Sequence, residues 1–216
     1  MKRLIVYDLD GTLVDTSRDI TQAVNYMLAQ LDGRLLSVDE VRRYVGRGMR
    51  DLVASSLQRD DPMLVDEAER MFAAYYAEHL ADFSALYPGA QDTLDFFHPR
   101  PQAVLTNKPN PFSRQLLTSL GVLEYFTDIV AGEHPYPRKP DPTGARALMD
   151  AVGAAPEETL LIGDSPVDIE TGRNAGIHTI VMTHGFVSAP ELRAARPDDV
   201  VDSFETLLAL VKARGW

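Results

Sequence analysis

The sequence contains no cysteine, and this absence excludes disulfide bonds, thiol nucleophiles and thiolate metal sites. Basic residues are also scarce, because 21 lysines and arginines stand against 32 aspartates and glutamates, for a net charge of -11. A surface of that charge repels the phosphate backbone of DNA or RNA. We therefore expect no nucleic-acid partner.

Long apolar runs are missing as well. The apolar run before Asp8 spans only the four residues from Leu4 to Tyr7, which is too short for the core of a signal peptide. No other stretch reaches the ~18 apolar residues that a membrane span needs. We expect a cytoplasmic monomer or homodimer with no membrane partner.

Short apolar runs rich in β-branched residues do recur, and each ends at polar or glycine residues. They are Leu4–Tyr7, Ala103–Leu105, Thr159–Ile162 and Thr179–Met182, with a weaker run at Asp128–Ala131. Helical patterns lie between them, at residues 89–97, 111–120, 142–152 and 166–175. This alternation predicts an α/β fold with a Rossmann-like, doubly wound parallel sheet.

Residues 16–86 interrupt the alternation, since they hold amphipathic helical patterns and no convincing strand. Ser37 and Glu40 form a predicted capping box, and a long helical segment is expected from about Leu64 to Phe83. We interpret residues 16–86 as an all-helical cap domain, inserted into a core made of residues 1–15 and 87–216.

Polar residues follow the predicted strands, where ligands bind in an open parallel sheet. Asp8 and Asp10 follow the first strand, Thr106, Asn107 and Lys108 follow the second, Lys139 lies in a later loop, and Asp164 and Asp168 follow another strand. Taken alone, each group is an ordinary turn or helix cap. Their recurrence at successive strand ends predicts one crevice that holds carboxylates, a lysine and a hydroxyl group.

That set of groups suits phosphoryl transfer through a covalent intermediate. Clustered carboxylates repel a phosphate unless a cation lies between them, and Mg²⁺ is commonly held by one or two carboxylates and substrate phosphate oxygens. A lysine and a hydroxyl group can then hold the phosphoryl oxygens on which charge develops. We expect a Mg²⁺ cofactor and a small phosphorylated metabolite as substrate.

The four motifs Asp-x-Asp-Gly-Thr, Thr-Asn-Lys, Lys-Pro and Gly-Asp-x-x-x-Asp, between residues 8 and 168, resemble those of the haloacid dehalogenase superfamily. The helical insertion resembles the C1-capped subgroup of that superfamily. The segments Asp10–Asp15, Val45–Gly48, Tyr87–Gly89 and Lys139–Pro142 are similar to those of phosphoglycolate phosphatases.

The resemblance implies a role for each matching residue. Asp8 would be the nucleophile, Asp10 the general acid and base, and Thr106 and Lys139 the groups that contact the phosphoryl oxygens. The metal would be held by Asp8, by the Asp10 carbonyl and by Asp164, with Asp168 orienting its ligand shell. The predicted substrate-binding residues are Gly11, Thr12, Asn107, Lys108 and Arg47.

Departures from the patterns of related subgroups limit the possible reactions. Asp10 argues against a dehalogenase, because that reaction has no leaving alkoxide to protonate. The four lysines are Lys2, Lys108, Lys139 and Lys212, so the predicted cap has no lysine for the Schiff base of a phosphonatase. A phosphatase, with 2-phosphoglycolate as the preferred substrate, is the expected function. Sugar phosphomutase, pyrophosphatase and nucleotidase activities stay open, as does an inactive phosphate-binding or interaction module.

Among the arginines of residues 42–50, Arg47 lies between two glycines that allow a close backbone approach. Since guanidinium groups pair well with carboxylates, we expect Arg47 to contact the end of the substrate that is not transferred.

Overall fold

The structure is a computed structural model and describes residues 1–59, 61–132 and 135–216. Its main sheet has six parallel strands, which are β1 (Leu4–Tyr7), β4 (Gln102–Leu105), β5 (Asp128–Val130), β6 (Thr159–Gly163), β7 (His178–Met182) and β8 (Asp199–Val201). Two short strands, β2 (Val14–Asp15) and β3 (Ala85–Leu86), pair antiparallel elsewhere. The order β5-β4-β1-β6-β7-β8 confirms the predicted doubly wound α/β fold.

The helices are α1 (Ser17–Gln30), α2 (Val38–Arg42), α3 (Met49–Leu57), α4 (Pro62–His79), α5 (Ala90–Phe97), α6 (Asn110–Ser119), α7 (Thr143–Val152), α8 (Pro166–Ala175), α9 (Ala189–Ala194) and α10 (Phe204–Ala213). The four helices predicted in the core begin and end within about a residue of α5, α6, α7 and α8. No helix in the described part of the chain has both the length and the apolar character that crossing a bilayer requires.

Strand β1 is apolar at every position because both faces of the sheet are covered. Ile5 and Tyr7 join an apolar cluster that includes side chains of α5, α6 and α10, whereas Leu4 and Val6 join a second cluster with side chains of α7. Successive side chains of a strand point to opposite faces, so each position meets a different helix layer. The continuous apolar runs in the sequence have this origin.

Helices α1 to α4 lie between β2 and β3 in the sequence and pack on one another. We call them the cap helices. Helix α4 ends at His79, four residues before the predicted end at Phe83. The backbone N–H groups of Phe83 and Ser84 donate to the Asp19 carboxylate on α1 instead of continuing a helix. This competing acceptor explains the earlier end of α4.

Asp19 ties the two ends of the cap helices together. Its buried carboxylate also accepts a hydrogen bond from the Ser84 hydroxyl at 2.6 Å. Immediately beyond this contact, β2 and β3 pair, so the predicted insertion of residues 16–86 contains a two-residue strand at its end and is not wholly helical. The domain boundaries at residues 15/16 and 86/87 stay a prediction.

Replacing Asp19 by alanine is expected to lower the free energy of unfolding by about 3 kcal/mol, because buried backbone donors would lose their acceptor. Urea unfolding followed by circular dichroism measures the change. The matched control is Asp39→Ala on α2. The Asp39 side chain is 85% exposed and lies 3.7 Å from Arg42, so its loss is expected to change the free energy of unfolding by less than about 1 kcal/mol. Equal losses in the two variants would contradict this role of Asp19.

Candidate active site

The carboxyl ends of three neighbouring strands meet at the centre of the sheet. The chain leaves β1 for β4 on one side and later returns to β6 on the other, which makes the β1 edge the switch point where open α/β sheets bind ligands. Asp8 follows β1, Thr106 follows β4 and Asp164 follows β6. All three side chains are buried.

Asp8 is held by a backbone group and by a buried lysine. Its Oδ1 accepts from the Leu9 N–H at 2.7 Å and lies 2.9 Å from Lys139 Nζ. Burial opposes the charge of Lys139, but Asp168 and Asp8 outweigh it and keep the pKa of the lysine above its usual value. Lys139 is therefore a permanent cation next to Asp8.

Asn107 fixes the backbone of Lys139. Its Oδ1 accepts from the Lys139 N–H at 2.8 Å, and its Nδ2 donates to the Lys139 carbonyl at 3.0 Å. The same Nδ2 lies 2.9 Å from the carbonyl of Gly46, in the loop before α3. Asn107 lines the cavity but uses its polar atoms to join Lys139 to the cap helices.

Asp164 lies in a narrow space between two glycines. Its carboxylate accepts from the Thr12 hydroxyl at 3.0 Å and from the Phe186 N–H at 2.8 Å. A Cβ atom on Gly11, which has φ +82°, or on Gly185 would collide with this carboxylate. Gly11 and Thr12, which were predicted to bind substrate, thus contact Asp164 in this structure.

Both oxygens of Asp168 already accept hydrogen bonds. Oδ1 lies 2.7 Å from Lys139 Nζ, and Oδ2 accepts from the N–H groups of Asp164 and Ser165 and from the Ser165 hydroxyl. The capping box that begins α8 at Ser165 brings this side chain into place. Asp168 is thus positioned to orient Lys139 and the loop that carries Asp164.

The acidic residues form one electrostatic unit. Burial raises the pKa of Asp8 to about 6 against the opposing effect of Lys139. Burial, with the charges of Asp168 and Asp8, raises the pKa of Asp164 well above its usual value. Carboxylate oxygens of the three residues lie within 4.8 Å of one another. A hard divalent cation fits this all-oxygen donor set, because it would offset the repulsion that raises these pKa values.

Asp10 lies on the cap side of Asp8. Its Oδ1 accepts from the Thr16 hydroxyl at 2.7 Å and from Lys108 Nζ at 2.9 Å. Lys108 in turn donates to the hydroxyl of Tyr76, on helix α4, at 2.7 Å. A chain of contacts therefore runs from the loop after β1 into the cap helices.

A cavity of about 50 Å³ lies between the strand ends and the cap helices. Asp8, Asp10, Thr106, Asn107, Lys108 and Tyr76 supply its polar wall. Apolar side chains close the remainder, namely those of Ile20, Val45, Met49, Leu52, Phe72, Pro109 and Phe112. The space suits a small ligand with one polar end beside Asp8.

Arg47 differs from its expected position. Its side chain is exposed, and the flanking residues Gly46 and Gly48, rather than Arg47, line the cavity. The Arg47 carbonyl accepts from Arg138 at 3.3 Å, so here its backbone, not its guanidinium group, faces the core. Next to Arg47, Gly48 lies so close to the Arg138 guanidinium group that a Cβ atom on it would come within 2.9 Å of that group.

Sequence reasoning missed Tyr76 and Arg138 as residues that join the cap helices to the core. Tyr76 forms part of a Tyr75–Tyr76 pair, and nothing in the sequence indicates which of the two rings faces the cavity. Arg138 precedes Lys139 directly, which is the one signal that could have suggested it.

Comparison with known proteins identifies similar sequences over most of the chain. Residues 5–182 match the family model described as haloacid dehalogenase-like hydrolase. A phosphoglycolate phosphatase from Photobacterium profundum is 34% identical over 97% of this chain and 96% of its own length. A phosphoglycolate phosphatase from Rhodospirillum rubrum is 36% identical over 88% of this chain and 83% of its own length.

Solved structures show the same architecture. The crystal structure of a predicted phosphoglycolate phosphatase from Haemophilus somnus aligns with a TM-score of 0.92 and 28% identity. The alignment covers 97% of this chain and 98% of that chain, so the sheet and the cap helices are both included.

After EDTA has removed metal, replacement of Asp168 and replacement of Asp164 are expected to have different effects on the free energy of unfolding. Asp168→Asn should lower the free energy of unfolding by about 3 kcal/mol, because Lys139 and the donors of Ser165 lose an acceptor. Asp164→Asn should leave it unchanged or raise it, because a buried like charge disappears. Urea unfolding of both variants tests the expectation, and a large loss in Asp164→Asn would contradict it.

Proposed function

We propose, since this chain belongs to the haloacid dehalogenase-like hydrolase family, that it is a Mg²⁺-dependent phosphatase which hydrolyses 2-phosphoglycolate through an aspartyl-phosphate on Asp8. The phosphatase class follows from the family and from relatives such as the Photobacterium profundum enzyme. The observation that carries the proposal is the buried Asp8 carboxylate with Lys139 Nζ at 2.9 Å, at the switch point of the sheet.

In the first step, a carboxylate oxygen of Asp8 attacks phosphorus and the bond to the leaving oxygen breaks. Lys139 and the Thr106 hydroxyl stabilise the negative charge on the transferred group. Oδ1 of Asp8 accepts hydrogen bonds from Leu9 and Lys139. Among the hydrogen bonds of the described residues, Oδ2 takes part in none, which supports Oδ2 as the attacking atom.

Asp10 protonates the leaving alkoxide and then removes a proton from the water that hydrolyses the aspartyl-phosphate. The second step breaks the bond between Asp8 and phosphorus, releases phosphate and restores both carboxyl groups. Thr16 and Lys108 hold Oδ1 of Asp10, and this fixes the side chain beside the leaving group. Water exclusion by the cap helices favours transfer to Asp8 over side reactions.

The Asp8 carboxylate, the Asp10 carbonyl and the Asp164 carboxylate would hold Mg²⁺. When bound, the ion would offset the charge of the carboxylates and of the phosphoryl oxygens. In this proposal, Asp168 stays outside the direct ligands, because Lys139, Asp164 and Ser165 already donate to both of its oxygens.

The cavity supports a small substrate. Away from Asp8 its wall consists of apolar side chains, which offer no hydrogen-bond partners to the hydroxyl groups of a sugar ring or a nucleoside. The relatives reported above are phosphoglycolate phosphatases. Their substrate, 2-phosphoglycolate, carries only two carbon atoms on its ester oxygen. These observations favour it over the substrates of a phosphomutase or a nucleotidase.

Hydrolysis of p-nitrophenyl phosphate is expected to require Mg²⁺ and to vanish in Asp8→Asn, because an amide cannot attack phosphorus as a carboxylate does. Phosphate release with Mg²⁺ and with EDTA measures both effects. Asp39→Ala serves as the control for loss of an aspartate and should keep normal activity. Turnover that persists in EDTA or in Asp8→Asn would contradict the mechanism.

A substrate panel is expected to give a kcat/KM at least about a hundredfold higher for 2-phosphoglycolate than for glucose 6-phosphate, AMP or pyrophosphate. The reason is the apolar part of the cavity wall, which leaves the additional polar groups of the other substrates without hydrogen-bond partners. Phosphate release measures hydrolysis, and chromatography of the sugar phosphates detects isomerisation. Preference for a nucleotide, or an isomerised sugar phosphate, would overturn the proposed substrate.

A further inference from the structure

Lys108 and Tyr76 meet at one end of the polar wall of the cavity. Lys108 Nζ lies 2.7 Å from the Tyr76 hydroxyl oxygen and 4.6 Å from the centre of the Tyr76 ring. Both side chains are buried and both line the cavity. Tyr76 comes from the cap helices and Lys108 from the core, so this end exists only while the two parts are in contact.

Each of these groups has a donor that remains unused. An ammonium group has three N–H donors, and Lys108 gives one to Asp10 and one to Tyr76. Tyr76 accepts the bond from Lys108, and within the described residues its own proton has no acceptor. Burial raises the pKa of Tyr76 to about 12, so the phenol keeps that proton at neutral pH.

Lys108 and Tyr76 offer hydrogen-bond donors to an anion at this position, next to the Asp10 carboxylate that Lys108 also contacts. Among the described residues that line the cavity, Lys108 is the one cation, and Phe72, Leu52 and Phe112 make the wall apolar. An anionic group in such a wall requires a charged partner and hydrogen bonds. One N–H of Lys108 and the O–H of Tyr76 can each take one oxygen of a carboxylate.

The Lys108–Tyr76 pair lies next to Asp10 in the wall of the cavity. Asp10, which faces the leaving oxygen in the proposed mechanism, is 2.9 Å from Lys108 Nζ. A carbon chain that leaves the ester oxygen on the Asp10 side of the cavity would run toward Lys108 and Tyr76. A carboxylate one carbon beyond the ester oxygen would meet both donors.

We propose that Tyr76 and Lys108 form the subsite for the carboxylate of the substrate, and that the Tyr76 hydroxyl is a specificity-determining group supplied by the cap helices. The inference rests on the proposed function, because it assumes that the phosphoryl group is at Asp8. It assigns the role expected of Arg47 to a pair of residues inside the cavity.

The test uses ligands that cannot be hydrolysed. In 3-phosphonopropionate a methylene group replaces the ester oxygen of 2-phosphoglycolate, and in propylphosphonate a methyl group also replaces the carboxylate. Isothermal titration calorimetry of the full chain with Mg²⁺ gives both dissociation constants. The wild-type protein is expected to bind 3-phosphonopropionate at least about tenfold more tightly than propylphosphonate.

Tyr76→Phe should raise the dissociation constant of 3-phosphonopropionate about tenfold and change the dissociation constant of propylphosphonate less than about twofold. The matched control is Tyr75→Phe, which removes a hydroxyl from the neighbouring ring that stacks on Tyr26 and His79, and both affinities should stay unchanged. The melting temperature of each variant shows whether folding is retained.

Equal affinity of the wild-type protein for the two phosphonates would overturn the subsite without use of any variant. Equal losses for both ligands in Tyr76→Phe, or no loss, would overturn the role of the hydroxyl. Because these are binding measurements, they are independent of the phosphatase assay. An active phosphatase with no selective loss refutes only the subsite, whereas selective binding without turnover refutes only the proposed reaction.

Discussion

The repulsion among buried carboxylates is the constraint on which the rest of the site depends. Asp8, Asp164 and Asp168 bring oxygens within 4.8 Å of one another at the centre of the sheet. Lys139 contacts two of them, but one cation cannot balance three anions. Backbone N–H groups and hydroxyls donate to both oxygens of Asp164 and to Oδ2 of Asp168, whereas Oδ2 of Asp8 has no donor among the described residues. The loop geometry around the sheet edge is thus determined by where negative charge has to be held.

Contacts between the cap helices and the core begin at the same sheet edge. Asn107 links Lys139 to the Gly46 carbonyl, and Lys108 links Asp10 to Tyr76. Each residue contacts the reacting groups on one side and the cap helices on the other. The position of the cap helices and the arrangement of the reacting groups are therefore coupled through two adjacent residues that follow β4.

The sequence predicted the fold and most residues of the candidate site because both depend on local patterns. Strands covered on both faces give unbroken apolar runs, and the residues that follow them collect at one edge, as Asp8 and Asp164 do. Contacts between distant segments have no such pattern. The end of α4 depends on Asp19, which lies 64 residues before its hydrogen-bond partner Phe83. In the same way, the exposure of Arg47 and the inward position of Tyr76 follow from packing between the cap helices and the core, which sequence periodicity does not describe.

The hydrogen bond between Ser84 and Asp19 affects how the sequence of such a protein can change during evolution. Because the chain enters and leaves the cap helices at adjacent points, the segment between them can be lengthened, shortened or exchanged without altering the register of the sheet. Natural variation could therefore rebuild the wall of the cavity that faces the leaving group while the phosphoryl-transfer residues stay in place. The Asp19 contact and the β2–β3 pairing together hold the two ends of the cap helices side by side, so new substrate ranges become accessible to an unchanged core.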